Sequence, residues 1–248
     1  MIEVIGLHKK FGGRPVLDGM DLQIPTGQSV VIIGQSGCGK SVLLKHLVAL
    51  LRPDGGEVRV EGKNIFNLSQ GELMTYRRRV GVLFQSGALF DSMTVAENVG
   101  FSLLECERLK ASEINSIVED KLRLVALSGI GEQMPSEISG GMKKRVALAR
   151  AIATDPDILL YDEPTTGLDP ITADMINELI VAVNEQLGVT SIAVTHDLTS
   201  ARKIAHRIVM LHEGRVIWDG TPDEIDKTDN AVVRQFVAGS SVGPIKVH

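Results

Sequence analysis

Short runs of β-branched and other apolar residues alternate along the chain with segments whose apolar positions recur at helical spacing. The short runs predict strands at 2–7, 16–24, 29–33, 57–60, 80–84, 158–162, 190–195, 207–212 and 215–218. The periodic segments predict helices at 40–51, 70–78, 95–104, 113–127, 140–154, 171–187, 199–205 and 229–237. Because strands and helices alternate, we predict an α/β fold whose sheet is mainly parallel and covered by helices on both faces.

Local signals add detail to some of these elements. Ser69 precedes Glu72, and Thr94 precedes Glu97, at the spacing of a capping box that starts a helix. The helix at 171–187 carries an apolar stripe that is predicted to be buried and comprises Met175, Ile176, Leu179, Ile180, Val183 and Leu187. The interval from about 92 to 153 contains helices and no convincing strand, which predicts a helical lobe inserted into the α/β core.

The two ends of the chain depart from the alternating pattern. The first two strands are close in sequence and separated by Gly12 and Gly13, so we predict an antiparallel piece beside the parallel sheet. Residues 239–248 are rich in Gly, Ser and Pro and are predicted to form a C-terminal tail.

Composition excludes several classes of protein. The 248 residues carry a formal net charge of −5 and only 4% aromatic residues, so we expect no nucleic-acid partner. The 44% apolar content suffices for a packed core, and no apolar run approaches the roughly 20 residues of a membrane span. We expect no secretory signal at the N-terminus. Cys38 and Cys106 cannot form a disulfide framework, which favours a reducing cytosol.

Part of the glycine content belongs to a phosphate-binding pattern between the strand at 29–33 and the helix at 40–51. The pattern GxxxxGK[ST] is formed by Gly34, Gln35, Ser36, Gly37, Cys38, Gly39, Lys40 and Ser41, and the adjoining Val42 completes the predicted nucleotide-binding set. Glycine lets backbone N–H groups approach phosphate oxygens, and the helix N-terminus adds partial positive charge. Lys40 is predicted to reach the β- and γ-phosphates and Ser41 to ligate Mg²⁺. The alternative is a glycine-rich turn without a ligand.

Two carboxylates follow the apolar strand at 158–162, where ligands bind in open α/β sheets. Asp162 is predicted to hold Mg²⁺ through water, and Glu163 to act as the general base on the attacking water. The alternative is a solvated acidic turn at the end of a strand.

A second group of glycines opens the helix at 140–154. Ser139 can cap this helix, and Gly140 and Gly141 leave bare N–H groups at its positive end, which predicts a second phosphate site. One nucleotide has no evident need for two such sites from one chain, so we predict that two copies face each other and share two nucleotides. The alternative is an ordinary serine-capped helix.

The motifs, their order and their spacing resemble the ATP-binding subunit of an ABC transporter from Ile2 to about Phe236. This resemblance implies an ABC-type nucleotide-binding domain at 1–238, with a phosphate-loop sheet, an antiparallel β subdomain and the helical lobe. It implies that Ser139 and Gly141 contact the γ-phosphate held by the opposite subunit and that Asp169 crosses the dimer interface.

The resemblance also assigns three single residues. Gln85 matches the glutamine that senses Mg²⁺ and the attacking water, although a plain strand-end glutamine is the alternative. His196 matches the histidine that hydrogen-bonds the γ-phosphate, and Phe11 matches the aromatic residue that stacks on adenine. For Phe11 the alternative is a partly exposed ring in a strand turn. The remaining histidines are expected at the surface or at edges: His8, His46, His206, His212 and His248.

Met142 stands where glutamine is commoner in ABC proteins, and residues 86–94 after Gln85 are unusual as well. Both features resemble the branch that powers lipid trafficking with MCE-domain proteins, the Mla type, and so do residues 233–236 and Gly243-Pro244. This implies ATP hydrolysis at the cytoplasmic face of the bacterial inner membrane. The implied partners are a second copy, a polytopic permease, an MCE-domain protein and a STAS-domain protein.

Other functions remain as alternatives to lipid transport. An importer of polar solutes such as amino acids is the closest of them. An ABC ATPase of DNA repair or translation is disfavoured because the interval from Lys40 to Ser139 is compact and the chain has one cassette. A non-catalytic regulator is disfavoured by the intact Asp162-Glu163 pair and His196.

Overall fold

A computed structural model describes residues 1–104 and 109–246, so Cys106 and His248 lie outside the described residues. The strands are β1 (Ile2–Phe11), β2 (Arg14–Ile24), β3 (Ser29–Ile33), β4 (Gly55–Val60), β5 (Lys63–Asn64), β6 (Val80–Leu83), β7 (Ile158–Asp162), β8 (Thr190–Thr195), β9 (Arg207–His212) and β10 (Arg215–Gly220). The helices are α1 (Lys40–Leu47), α2 (Gln70–Arg78), α3 (Val95–Leu104), α4 (Ala111–Leu124), α5 (Gly140–Ala151), α6 (Pro170–Leu187), α7 (Leu198–Ile204) and α8 (Ala231–Ala238). The chain divides into two compact units, Met1–Leu73 with Ile192–His248, and Met74–Ser191.

The first unit contains strands of two kinds. β2, β1, β4 and β5 form an antiparallel sheet in that order, which confirms the antiparallel piece predicted for the first two strands. β10, β9, β3 and the end of β8 lie side by side in that order, with β3 parallel to β9 and β10 antiparallel to it. All five residues of β3 are buried, as expected for a strand that is covered on both faces.

The second unit pairs β6 with β7 in parallel, from Val80 opposite Ile158 to Leu83 opposite Tyr161. A buried polar chain joins β7 to α6, because the Tyr161 hydroxyl donates to Asn184 Oδ1 at 2.8 Å and Asn184 Nδ2 donates to Ser191 Oγ at 2.9 Å. Burial raises the pKa of Tyr161, so this hydroxyl stays a donor.

The predicted helical lobe can be compared with this unit. α3, α4 and α5 lie within 92–153, and the described part of that interval (92–104 and 109–153) contains no strand. The compact units divide elsewhere, after residues 73 and 191, so the lobe and its limits stay a prediction.

Three helices end three or four residues earlier than predicted. α5 stops at Ala151 instead of residue 154, and one motif ends the other two. α1 stops at Leu47 instead of residue 51, and α4 stops at Leu124 instead of residue 127. Ala49 and Ala126 follow in the left-handed conformation, with φ of 53° and 54°. The amides of Leu50 and Leu127 then bond back to the Lys45 and Leu122 carbonyls at 2.9 and 2.8 Å, which is a Schellman motif. Alanine replaces the usual glycine here, and so the sequence carries no stop signal.

Both predicted capping boxes are confirmed. The Ser69 amide donates to Glu72 Oε2 at 2.9 Å and the Thr94 amide to Glu97 Oε2 at 2.8 Å. In the reverse direction the Glu72 and Glu97 amides donate to the hydroxyls of Ser69 and Thr94 at 3.4 and 3.2 Å. The starts of α2 and α3 therefore follow from local sequence.

Two predictions about burial are wrong. Met175 was assigned to the buried stripe of α6 but is 46% exposed, whereas Asn177 and Asn184 are buried on that helix. His46 was expected at the surface or at an edge but is fully buried in α1, where Nδ1 donates to the Val42 carbonyl at 2.7 Å. Packing around each helix, and not residue polarity, decided these positions.

The described part of the tail returns to α8. The buried Gln235 side chain donates from Nε2 to the Ser240 and Ile245 carbonyls, both at 3.1 Å, and accepts the Ile245 amide at 2.6 Å. Ile245 is itself buried. Across residues 1–104 and 109–246, no helix combines the length and apolar content that crossing a membrane requires.

Candidate nucleotide-binding and hydrolysis site

The phosphate loop of the first unit runs from the buried β3 into α1. A Cβ on Gly34 would lie 2.3 Å from the Leu211 carbonyl oxygen, and a Cβ on Gly39 would lie 2.8 Å from the Val16 carbonyl oxygen. Gly37 has open space around it but adopts φ of 80°. Glycine is therefore required at two positions by close packing and at the third by backbone conformation.

The start of α1 differs from the starts of other helices. Its N-cap is Gly39, which offers no capping side chain, and its first turn has no acidic residue. In contrast, carboxylate or amide side chains cap three other helices, Asp169 on α6, Asp197 on α7 and Asn230 on α8, and serine or threonine hydroxyls cap α2, α3 and α5. The N-terminal end of α1 thus keeps its partial positive charge uncompensated by a capping side chain, which suits an anionic ligand.

Lys40 lies within the loop. Its residue is buried, and Nζ donates to the carbonyls of Gly34 at 2.6 Å and Gln35 at 3.0 Å. The ammonium is therefore held at the loop by main-chain oxygens, within reach of an anion that the loop would bind. Ser41 and Val42 follow in the first turn of α1, and both are partly buried.

A cavity of about 620 Å³ adjoins the phosphate loop in the first unit. Val16, Gly37 and Cys38 contribute to its lining, together with the turn between β9 and β10. Phe11 lies at the end of β1 with its ring half exposed and Lys9 Nζ 5.7 Å from the ring centroid. An exposed ring face of this kind can stack on a base, and a partly exposed ring in a strand turn remains the alternative. His196 is exposed directly after β8.

The carboxylate pair of the second unit ends β7, after four buried residues. Glu163 is buried and adopts φ of 49°, a left-handed conformation that is costly for a residue with a Cβ. Its Oε2 accepts a hydrogen bond from the Thr166 hydroxyl at 3.0 Å. A strained backbone of this kind occurs at functional sites, where surrounding contacts hold it in place.

Gln85 follows β6 in the same unit, with its side chain exposed. Its main-chain carbonyl accepts a hydrogen bond from Lys144 Nζ, and the same ammonium donates to the Glu163 carbonyl at 3.3 Å. The structure therefore joins the main chains of two predicted catalytic residues through a lysine of α5.

The second predicted phosphate site lies at the N-terminus of α5. Ser139 caps this helix as predicted, because its hydroxyl accepts the Met142 amide at 3.3 Å. A cavity of about 340 Å³ brings together Ser139, Gly140, Gly141, Met142, Arg145, Asp169, Thr172 and Met175. The exposed Met175 belongs to this cavity, which explains why it does not pack with the buried residues of α6.

Asp169 is the N-cap of α6. Its Oδ1 accepts the amides of Ile171 and Thr172, both at 3.0 Å. Hydrogen bonds from the Thr172 side chain and main chain lower the pKa of this carboxyl, because they favour its charged form. The contact across a dimer interface stays a prediction.

Comparison with known proteins decides the family. Residues 17–166 match the family described as ABC transporter. The chain belongs to the ABC transporter family. It is 44% identical over 244 residues to the "Probable ribonucleotide transport ATP-binding protein mkl" of Mycobacterium leprae, covering 98% of this chain and 70% of the relative.

Two further similarities cover most of both chains. The "Intermembrane phospholipid transport system ATP-binding protein MlaF" of Haemophilus influenzae is 43% identical over 246 residues, covering 99% of this chain and 93% of the relative. A dimeric ATP-binding cassette, MJ0796, solved in a post-hydrolysis state with ADP and Pi, superposes with a TM-score of 0.82 at 33% identity, over 90% of this chain and 99% of that one. The chain is therefore an ATP-binding ABC ATPase with the predicted α/β fold.

Each unit of this ABC ATPase carries its own set of predicted site residues. The first unit contains Phe11, residues 34–42 and His196. The second unit contains Gln85, Ser139, Gly140, Gly141, Asp162, Glu163 and Asp169. Among the described residues no group of three or more His, Cys, Asp or Glu could hold a metal ion alone. By donor type, Gln85 and Asp162 of the second unit suit Mg²⁺, since this ion is often bound by one or two carboxylates with substrate phosphates. Ser41 of the first unit offers a hydroxyl of the kind that binds the same ion beside a phosphate loop.

Sequence reasoning missed Lys144 and the contact of Gly141 with α6. Lys144 was visible as part of a basic run after the glycines, but a basic run on a helix usually faces solvent, and nothing local indicates burial. For Gly141, a Cβ would lie 2.6 Å from Thr172 Cγ2, a residue 31 positions away that no local pattern connects to it.

We expect the Gly141→Ala variant to lower the free energy of unfolding by about 1–3 kcal/mol, because the added methyl group meets the Thr172 methyl group. The measurement is urea denaturation of the full chain. Thr172→Ser removes the opposing methyl group while keeping the hydroxyl, so the double variant should recover most of the loss. Equal losses in the single and double variants would contradict this account.

Proposed function

We propose that this ABC ATPase is the motor subunit of a transporter that moves phospholipids between the inner and outer membrane with an MCE-domain system. The observation that supports this substrate class is the 43% identity to MlaF across nearly the whole of both chains. The deviating Met142, which lines the cavity at the start of α5, is a further feature of the branch it resembles. ATP hydrolysis would supply the free energy for the lipid movement.

In this proposal the phosphate loop binds the phosphates of ATP, and the Phe11 ring stacks on adenine. Lys40 moves its ammonium from the loop carbonyls to the β- and γ-phosphates. Ser41, Gln85 and Asp162 would hold Mg²⁺, which offsets the charge on the phosphates. Catalysis is then mainly positioning together with electrostatic stabilisation of the transferring phosphoryl group.

Glu163 takes the proton of the attacking water as general base, and His196 donates a hydrogen bond to the γ-phosphate. The Thr166 hydroxyl orients the Glu163 carboxylate through the hydrogen bond described above. A carboxylate base that is held by a neighbour loses less conformational freedom when it meets its water.

We further propose that two copies close around two nucleotides. Ser139, Gly140 and Gly141 of one copy contact the γ-phosphate bound to the other copy, and Asp169 lies at the interface. The helix N-terminus of α5 favours an anion in this position. Closure binds ATP more tightly than ADP, so hydrolysis lets the dimer open again.

The membrane partner is proposed to be a polytopic permease at the cytoplasmic face of the bacterial inner membrane. A cavity of about 560 Å³ in the second unit offers a docking surface, with Phe84, Phe90 and Phe101 in its lining. The rings of Phe90 and Phe101 are 4.8 Å apart, and all three side chains are partly exposed. MCE-domain and STAS-domain proteins complete the proposed complex.

Other substrates are distinguishable by experiment. The name of the mkl relative refers to ribonucleotide transport, and an importer of amino acids is the other alternative that the sequence left open. All three proposals share the ATPase cycle and differ in what the permease carries.

Lys40→Ala should weaken ATP binding by roughly tenfold or more, because a charge-assisted hydrogen bond to phosphate is lost. Titration of the full chain with a fluorescent ATP analogue measures this. Lys45→Ala is the matched control, since Lys45 is exposed on the same helix. An unchanged affinity in the Lys40 variant would rule out the role given to the phosphate loop.

Glu163→Gln should lower the rate of ATP hydrolysis by about 10²–10⁴-fold and leave ATP affinity near the parent value, because the amide cannot accept the proton. We also expect ATP to trap this variant as a dimer. Hydrolysis is measured as phosphate release, and the dimer by size-exclusion chromatography with light scattering. Hydrolysis at the parent rate would show that another group is the base.

Phe90→Ser should reduce co-purification of the permease while leaving ATP affinity of the isolated chain unchanged. Leu50→Ser, at an exposed leucine of the first unit, is the control. The complex reconstituted in liposomes should transfer labelled phospholipid in an ATP-dependent manner. Uptake of labelled ribonucleotide or amino acid in place of lipid transfer would contradict the proposed substrate class.

A further inference from the structure

Lys144 is a buried lysine on α5, in the second turn after the glycines of the second phosphate site. Its ammonium donates to two main-chain carbonyls, those of Gln85 and Glu163. These two residues are separated by 78 positions in sequence and follow different strands, β6 and β7. One side chain therefore connects the ends of two neighbouring parallel strands at the residues proposed to act on Mg²⁺ and water.

The surroundings of Lys144 indicate that this contact matters for Glu163. A left-handed φ at a residue with a Cβ persists only where neighbouring contacts hold it. The Glu163 carbonyl accepts from Lys144 Nζ at 3.3 Å and from the Thr166 amide at 3.3 Å, so both help to hold this peptide. Removing the ammonium would leave the strained residue with fewer restraints.

The loop after Gln85 is attached to the same helix further along. Arg150 donates to the carbonyls of Ala88 at 2.7 Å and Gly87 at 2.6 Å. Lys144 and Arg150 lie six residues apart on α5, and each binds the loop through main-chain oxygens. Because Arg150 anchors Gly87 and Ala88, Lys144 is placed to set the position of Gln85 itself.

Electrostatics agree with the geometry. Burial lowers the pKa of the Lys144 ammonium, and the charges of Asp162 and Glu163 act in the opposite direction. Burying an ammonium is costly unless it is hydrogen-bonded and paired. The two carbonyls supply the hydrogen bonds, and the charges of Asp162 and Glu163 offset part of the cost. An apolar side chain would fill the same space without this cost, so packing alone does not account for a lysine at this position.

We propose that Lys144 is a positioning residue for ATP hydrolysis, which fixes the main chain of Gln85 relative to the main chain of Glu163 so that both side chains meet the attacking water. This inference rests on the proposed roles of Gln85 and Glu163. In this proposal α5 has a second role, in addition to the phosphate site at its N-terminus.

The test compares ATP hydrolysis and ATP affinity of Lys144→Met with those of the parent full-length chain. Methionine keeps the unbranched shape and removes the charge and the donors. We expect kcat to fall by about tenfold or more, because small misplacements of catalytic groups have effects of this size, while ATP affinity stays within about twofold. Lys144→Arg, which keeps charge and donors, should retain more activity than Lys144→Met.

Lys121→Met is the matched control. Lys121 is similarly buried in the same unit, but its ammonium pairs with Asp155. We expect this variant to lose thermal stability and to keep its kcat. If Lys144→Met does not fold, Lys144→Gln is compared with Lys144→Arg under the same criteria.

The inference is overturned if kcat of the Lys144 variant stays within about twofold of the parent, if affinity and kcat fall in parallel, or if arginine restores nothing. Glu163→Gln in the same assay separates the two hypotheses. An active Glu163→Gln variant means that the proposed function itself fails. An inactive Glu163→Gln variant beside a fully active Lys144→Met variant means that only the role of Lys144 fails.

Discussion

The phosphate loop depends on main-chain contacts that side chains would prevent. Gly34 comes so close to the Leu211 carbonyl of β9, and Gly39 to the Val16 carbonyl of β2, that no Cβ fits at either position. The loop is thus held by the strands on both sides of it. Because its shape is set before any ligand arrives, α1 can present a helix N-terminus to phosphate with little reorganisation.

In the second unit, α5 has the corresponding organising role. Its first turn forms the cavity with Asp169 and Thr172, its second turn carries Lys144, and Arg150 near its end binds the loop after Gln85. A single rigid helix therefore contacts several of the groups that the proposed cycle requires in this unit. Small movements of α5 would reach the Gln85 loop and Glu163 together, since packed helices move as rigid bodies.

Met142 illustrates how a deviation in a motif can leave the local geometry intact. The backbone amide of Met142 is bound by the Ser139 hydroxyl, and that contact does not depend on the side chain. Met142 also lines a cavity with the exposed Met175. An apolar surface beside an anion site is compatible with a partner that buries both, such as the second copy in the proposed dimer.

Much of this protein was determined by sequence alone. Local patterns predicted the order of strands and helices apart from the two-residue β5, together with both capping boxes and the antiparallel start, because hydrophobic periodicity and capping act over a few residues. The family was predicted from the resemblance of the motifs, their order and their spacing. Tertiary structure decided the rest. It decided the burial of His46, the exposure of Met175, the early ends of α1 and α4 before Ala49 and Ala126, and the contacts of Lys144 and Gly141. All of these features depend on neighbours that packing supplies. A local pattern reports what one segment prefers, whereas these features depend on which distant segments pack against it.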